Sequence, residues 1–267
     1  MSDRPLHIHD DWVPTPGGRL AVRTWAPAEA AAGPAPVLLF HDSLGCIGLW
    51  RTFPAALARA AGRRVIAYDR LGFGRSDPRT GPLAPDFIED EARSFFPRLA
   101  AQLGLERFAA FGHSVGGGMA AHCAARSGPA CVALITESAQ CFMEDRTRAG
   151  ILEAKARFGR PEVFGRLRRH HGDRSRWVLE AWTETWLSPA FADWSLEPVL
   201  GQVRCPALVL HGSEDEYGTL RHPQGIVRAL GGRAELAVIP GAGHVPHREQ
   251  ETGIAAQVAG FLAAVDG

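Results

Sequence analysis

One serine in the chain sits between glycines, in Gly112-His113-Ser114-Val115-Gly116. It follows the apolar run RFAAFG (107–112) and precedes small helix-forming residues. A strand running into a tight turn and then a helix is the setting in which G-x-S-x-G displays a nucleophile. The flanking glycines are needed because a side chain at either position would collide within the turn. A serine hydroxyl is a weak nucleophile until a base takes its proton, and the base needs a partner that orients it. Candidates lie downstream. Asp215 follows the apolar run PALVLHG (206–212), and His244 follows AELAVIP (234–240) in the segment GAGH. Glu214 and Glu216 flank Asp215, Glu137 closes the run CVALIT (131–136), and His247 lies shortly beyond His244. All four are rivals for the acid or base role, although the spacing in HGSED favours Asp215. His113 is expected to pack beneath the turn.

The apolar runs are also the elements that must position these side chains. LAVRTWAP (20–27) follows the turn signal PGG and suggests an early antiparallel strand. PVLLFH (36–41), RVIAYD (64–69), RFAAFG, CVALIT, PALVLHG and AELAVIP suit strands buried on both faces of a parallel sheet. Helical patterns alternate with them: FPAALARAAG, FIEDEARSFFPRLAAQLG, GGMAAHCAARSG, IVRALGG and ETGIAAQVAGFLAAVDG. The expected fold is therefore α/β, a mostly parallel central sheet with helices on both faces. Loops at the carboxyl edge of such a sheet converge, so Ser114, Asp215 and His244 can meet. From Cys141 to Val203 there is no strand signal. The segment 141–203 is expected to be an α-helical cap, with 1–140 and 204–267 forming the core domain. Its helix VLEAWTETWL carries Trp182 and Trp186 on one apolar face, and both are expected to line a pocket. Trp50 is expected to form a further wall.

With these landmarks the chain resembles the α/β-hydrolases over essentially its full length. DRLGFGRSD (69–77) is similar to that family's D-x-x-G-x-G-x-S loop, and HGSEDE to its H-G-x-x-D. The resemblance implies Ser114 as nucleophile, His244 as general base and then acid, and Asp215 as the orienting group. Where many relatives have His-Gly, this chain has HDSLG (41–45), with Asp42 in the place of glycine. Its SLG resembles the NSLG of 3-oxoadipate enol-lactonases, which implies the main-chain N–H groups of Ser43 and Val115 as oxyanion-hole donors. The activity implied is hydrolysis of a small-to-medium carboxylic ester or lactone through an acyl-enzyme, with no cofactor. Carbon–carbon bond hydrolysis, a perhydrolase activity and a non-catalytic receptor are the alternatives on the same fold.

Composition excludes other classes. Acidic and basic residues balance at 29 each, so no net charge recruits nucleic acid or an anionic membrane. The basic stretch RLRRHHGDRSR (166–176) carries no interleaved aromatics and is read as a solvated cap helix. HIHDD (7–11) lacks the further ligands of a metal site and is read as a polar tail. The five scattered cysteines form neither a disulfide framework nor a zinc pattern. With a polar opening MSDRPLHIHDDW and no long apolar run, a cytoplasmic protein acting on a small molecule is expected.

Overall fold

Apolar runs without polar alternation must be covered on both faces, and the centre of the chain is built that way. The computed structural model describes residues 5–28 and 33–267. Eight strands form one sheet: β1 (Leu6–Thr15), β2 (Gly18–Pro27), β3 (Val37–Phe40), β4 (Val65–Tyr68), β5 (Phe108–His113), β6 (Cys131–Glu137), β7 (Ala207–Gly212) and β8 (Ala234–Ile239). Their order is β1-β2-β4-β3-β5-β6-β7-β8. β2 pairs antiparallel with β1 and β4, and every pair from β4 to β8 is parallel. All residues of β3, β4, β5, β6 and β7 are buried.

The helices are α1 (Phe53–Ala61), α2 (Phe87–Asp90), α3 (Phe96–Gln102), α4 (Val115–Ser127), α5 (Asp145–Arg157), α6 (Pro161–His171), α7 (Ser175–Leu187), α8 (Glu197–Leu200), α9 (Arg221–Leu230), α10 (Pro246–Glu249) and α11 (Glu251–Asp266). A π-helical turn, Glu91–Phe95, joins α2 to α3 just before Pro97, a residue that cannot continue an α-helical ladder. Side chains alternate along each strand, so each strand contributes to two cores. On one face Leu38, Phe40, Ile66, Ala110 and Leu134 pack with Met119 and Cys123 of α4. On the other, Leu39, Ala67, Phe111 and Ile135 pack with Leu57 of α1 and Val258 and Leu262 of α11. Each Leu, Ile, Val, Phe or Met among them contributes about 1.5–3 kcal/mol by leaving water. Helices on both faces follow from this double burial.

Two edges differ from expectation. HIHDD is not a tail but part of β1, which pairs along its whole length with β2, and Asp10 is held by Arg23 and Arg75. An edge strand largely exposed to water shows no apolar pattern, which is why its sequence reads as polar. At the opposite edge β8 leaves Leu236 and Val238 exposed, so it is not buried on both faces. The segment APAEAAAGPAP (26–36), expected from its sequence to connect two strands, includes residues 29–32, which lie outside the described residues.

Between β6 and β7 the chain is helical. Its two ends meet where Phe142 bridges Ser195 and the Leu196 N–H donates to the Cys141 carbonyl at 2.7 Å. α5, α6 and α7 lie within this pinch, while α8 lies beyond it and packs on α4 and α9. No helix among the described residues is long and apolar enough to cross a membrane.

Candidate active site

The strand order reverses between β3 and β5, and their carboxyl ends open a crevice there. Ser114 leaves β5 at that point with φ 56° and ψ −126°, a conformation an L-residue adopts only under strain of roughly 1–3 kcal/mol. The glycines around it are dictated by backbone contact. A Cβ on Gly112 would lie 2.0 Å from the Gly116 carbonyl oxygen, and one on Gly116 would lie 2.1 Å from that of Phe40. The turn is closed by the Gly117 N–H donating to the Ser114 carbonyl at 2.8 Å.

His244 comes from the loop after the edge strand β8 and must cross the end of β7 to reach β5. Gly212 leaves room for that crossing, since a Cβ there would lie 2.1 Å from the Gly243 carbonyl oxygen. The loop is then clamped. Glu249 accepts the Gly243 N–H at 2.7 Å, and Glu216 accepts the His244 N–H at 3.1 Å. The His113 ring donates from Nε2 to the His244 carbonyl at 2.8 Å. The imidazole of His244 consequently stands with Nε2 3.0 Å from Ser114 Oγ and Nδ1 2.9 Å from both carboxylate oxygens of Asp215. Nδ1–H donates to the carboxylate, which leaves Nε2 free to accept the serine proton.

Asp215 is buried, and burial works against its charge. His244, with further help from His211 and the Tyr217 N–H, outweighs that and holds the carboxyl below its usual range. Its Oδ1 also accepts the main-chain N–H of Tyr217 at 2.8 Å and of Gly218 at 3.2 Å. Of the rivals, Glu214 is exposed, and Glu216 holds the His244 main chain rather than its ring. Glu137 is fully buried and accepts a short hydrogen bond from Nδ1 of His247. Burial opposes the charge of Glu137 too, yet His247 and His113 hold it ionised. His113, Glu137 and His247 bring donor atoms within 4.8 Å of one another, and the hydrogen bonds just described engage Nε2 of His113 and Nδ1 of His247.

The loop after β3 is fixed by side chains. The Asp42 carbonyl accepts from His41 Nδ1 at 2.8 Å, Arg70 Nη2 at 2.9 Å and the Gly45 N–H at 3.2 Å. In a planar trans peptide the N–H points opposite the carbonyl, so the Ser43 N–H is turned away from these donors. Ser43 itself lines the cavity. Asp69 ties this loop to the next by accepting the N–H groups of Ile47 at 2.6 Å and Arg75 at 2.7 Å. Val115 begins α4 directly after Ser114.

These groups open into a cavity of about 270 Å³. Ser114, His244, Asp42 and Gln140 lie at its polar side, and Ile151, Phe158, Trp182 and Trp186 form an apolar wall. The Tyr217 ring lies between, 4.8 Å from the His244 ring and 5.9 Å from that of Trp182. Trp50 is not part of the wall. It is 3 % exposed and packs under the loop against Phe53, Phe111, His113 and His247, while its neighbour Leu49 lines the cavity. An indole that large fills the space beneath the turn more readily than it faces solvent.

Sequence reasoning also missed how the helical segment is docked. His171 and Arg174, inside the basic stretch read as solvated, reach the floor. His171 Nε2 donates to the Leu44 carbonyl at 2.9 Å, its Nδ1 accepts the Gly74 N–H at 2.9 Å, and Arg174 donates to the Gly74 carbonyl. A Cβ on Gly72 would lie 2.5 Å from the Trp177 ring, so the first glycine of GFG is the signal that another element approaches closely, whereas one on Gly74 would lie 2.2 Å from the Asp69 carboxylate.

Known proteins share this architecture. The family model for the alpha/beta hydrolase fold matches residues 35–179, more than half of the chain. A (lyso)-N-acylphosphatidylethanolamine lipase of Mus musculus is 34% identical over 85 residues, which are 32% of this chain and 24% of that protein. A non-heme haloperoxidase of Rhodococcus erythropolis is 26% identical over 212 residues, covering 68% of this chain and 76% of that one. The crystal structure of the enol-lactonase from Burkholderia xenovorans LB400 superposes with a TM-score of 0.73 at 20% identity, covering 95% of this chain and all of that one. The chain belongs to the alpha/beta hydrolase fold family.

Proposed function

We propose that the protein is a serine hydrolase that cleaves a small-to-medium carboxylic ester or lactone. The observation that carries this reading is the chain of contacts Ser114 Oγ, His244, Asp215 at the floor of a cavity with an apolar wall. Ser114 Oγ attacks the acyl carbon as its proton passes to His244 Nε2. The charge on the acyl oxygen is met by the N–H groups of Ser43 and Val115, each worth about 3 kcal/mol in the transition state. Collapse expels the alcohol, which takes the proton from His244 and leaves an acyl-enzyme. Water then gives a proton to His244, adds to the acyl carbon and frees the acid and Ser114. Asp215 stays ionised throughout and stabilises the imidazolium. The helices between β6 and β7 act as a cap, and Trp182 and Trp186 select an apolar acyl or alcohol portion. The modest cavity favours a small substrate. Five free, buried cysteines suit a reducing, cytoplasmic setting.

The test is labelling with a fluorophosphonate, read by intact mass. One adduct is expected on the wild type and none on Ser114→Ala. A folded wild type that takes no label would sink the reading and favour a non-catalytic receptor. The match to a non-heme haloperoxidase supports a second reading, in which hydrogen peroxide rather than water takes the acyl group. Peracid formation from a carboxylic acid and peroxide would distinguish it.

A further inference from the structure

Asp42 places a carboxylate where the proposed chemistry least needs one. It is one residue from the Ser43 N–H, lines the same cavity as Ser114, and its Oδ1 accepts the Leu44 N–H at 2.8 Å. Glycine at this position would add no charge. A carboxylate so close to a developing oxyanion opposes it, and strongly so where water is excluded.

A compensating charge is available in the residue before the nucleophile. His113 is 1 % exposed, and both of its ring nitrogens face acceptors. Nε2 lies 2.8 Å from the His244 carbonyl oxygen, which can only accept, and Nδ1 lies 3.4 Å from Asp42 Oδ2. A neutral imidazole carries one N–H and would leave one of these contacts as acceptor against acceptor. The charged and titratable groups around it are Asp42 from the loop after β3, Glu137 at the end of β6, His244 from the loop after β8 and His247 of α10. Arg248 of α10 acts on Asp42. The two carboxylates are both ionised, and His247 serves Glu137.

We propose that Asp42 and His113 form a charge-compensating pair beneath the oxyanion loop, in which His113 is held as an imidazolium that cancels the carboxylate standing in place of glycine. Burial works against that charge, but Asp42, Glu137 and the His244 carbonyl together hold the imidazole above its ordinary value. Asp42 then fixes the loop through the Leu44 N–H without opposing the reaction. His113 touches no reacting atom and is a positioning residue. The catalytic consequence rests on the serine-hydrolase reading, whereas the protonation state does not.

Two measurements test the pair separately. Nitrogen-15 NMR of imidazole-labelled protein at pH 7.5, with the His113 signals assigned by their loss in His113→Gln, should show both ring nitrogens protonated. A neutral tautomer at that pH overturns the proposal. If His113→Gln does not fold, Asp42→Asn serves instead. Its His113 should titrate about 1 unit or more below the wild-type midpoint, as expected on removing a neighbouring opposite charge, and an unmoved midpoint overturns the pair.

The second measurement is the rate of Ser114 phosphonylation by the fluorophosphonate, which requires no knowledge of the substrate. His113→Gln should slow it about 100-fold, the scale of losing an oxyanion-hole donor. Adding Asp42→Asn to His113→Gln should restore about tenfold of that, because the orphaned carboxylate is gone. A double variant as slow as His113→Gln alone means a packing role only and overturns the proposal. Wild-type protein that takes no label overturns the hydrolase reading instead, and the NMR result then decides the pair.

Discussion

Along the floor of the cavity, side chains are fixed by directional bonds. His244 touches Ser114 and Asp215 at about 3 Å, and Glu216, Glu249 and His113 hold its main chain. The backbone turns beneath it admit no Cβ at Gly112, Gly116 or Gly212. Along the roof, Ile151, Ala154, Phe158, Trp182 and Trp186 meet the cavity through van der Waals contact. The roof reaches the floor through a few polar bonds, among them those of His171 and Arg174 and the Thr147 hydroxyl donating to the Tyr217 carbonyl at 2.7 Å. The two regions should therefore fail differently. A directional bond loses most of its value when an atom moves or changes its proton, whereas an apolar wall trades shape gradually. In the proposed reading the reaction type belongs to the floor and the substrate choice to the roof.

The largest expected effect is on the floor. Asp215→Asn should keep the fold, because an amide oxygen still accepts the N–H groups of Tyr217 and Gly218. It no longer sets the tautomer of His244, and kcat on a chromogenic ester should fall about 10⁴-fold with KM little changed. Glu137→Gln supplies the contrast. Its amide oxygen still accepts from His247 Nδ1 but without the acceptor's charge, so the change should cost about 1–3 kcal/mol in urea unfolding rather than comparable activity in the protein that remains folded. If Asp215→Asn were nearly silent while Glu137→Gln abolished turnover, the proposed acid would be wrong and the floor would need to be redrawn around β6.

The joint between floor and roof comes next. His171 donates through one ring nitrogen and accepts through the other, which only the neutral ring can do. Burial pushes its pKa down to about 4. Between that value and 6.5 the unfolded chain binds a proton that the folded one does not. Stability is then highest above pH 6.5 and is lost as the pH falls through this window. The contribution is of the order of 3 kcal/mol by the size of the shift. Urea unfolding at pH 7.5 and pH 5 should show about 2 kcal/mol of it as a difference between wild type and His171→Gln, since the other buried histidines titrate in both. An identical pH slope in the two proteins would show that the joint does not depend on a neutral His171.

What could be read from the sequence follows the same division. Ser114 and Asp215 are legible because each follows a buried apolar run and a glycine that the backbone requires, and His244 because it follows an apolar run and its loop crosses at Gly212. Gly112, Gly116 and Gly212 are the glycines concerned. The parallel sheet is legible for the same reason, since its central strands are buried on both faces. β1 is not, because an edge strand paired on one side and wet on the other shows no apolar pattern. Trp50 illustrates a second limit: an aromatic near a site fills either a wall or the space beneath it, and only the packing of Phe53, Phe111 and His247 decides. His171 and Arg174 illustrate a third, because their partners are main-chain atoms about 100 residues or more away in the chain, Leu44 and Gly74. The clamping role of Glu216, weighed only as a rival acid, escapes notice likewise, as does Glu249, since both act on the backbone of the His244 loop.

The smallest expected effect is on the roof and tests whether the wall is a matter of shape. Trp182 is half-buried, and its ring meets that of Tyr217 edge-on, which in turn meets that of His244. Trp182→Ala removes apolar surface without touching a bond that the reaction uses. Across a series of esters with lengthening acyl chains, KM should rise about tenfold for those long enough to reach the wall, with kcat within a few-fold. Short acyl groups that stop at the floor should be affected least. Trp182→Phe should recover most of the loss, because a smaller aromatic ring retains part of the contact. A fall in kcat that is uniform along the series would instead mean that Trp182 positions His244 through Tyr217, and the separation between a chemical floor and a shaped roof would not hold at this residue.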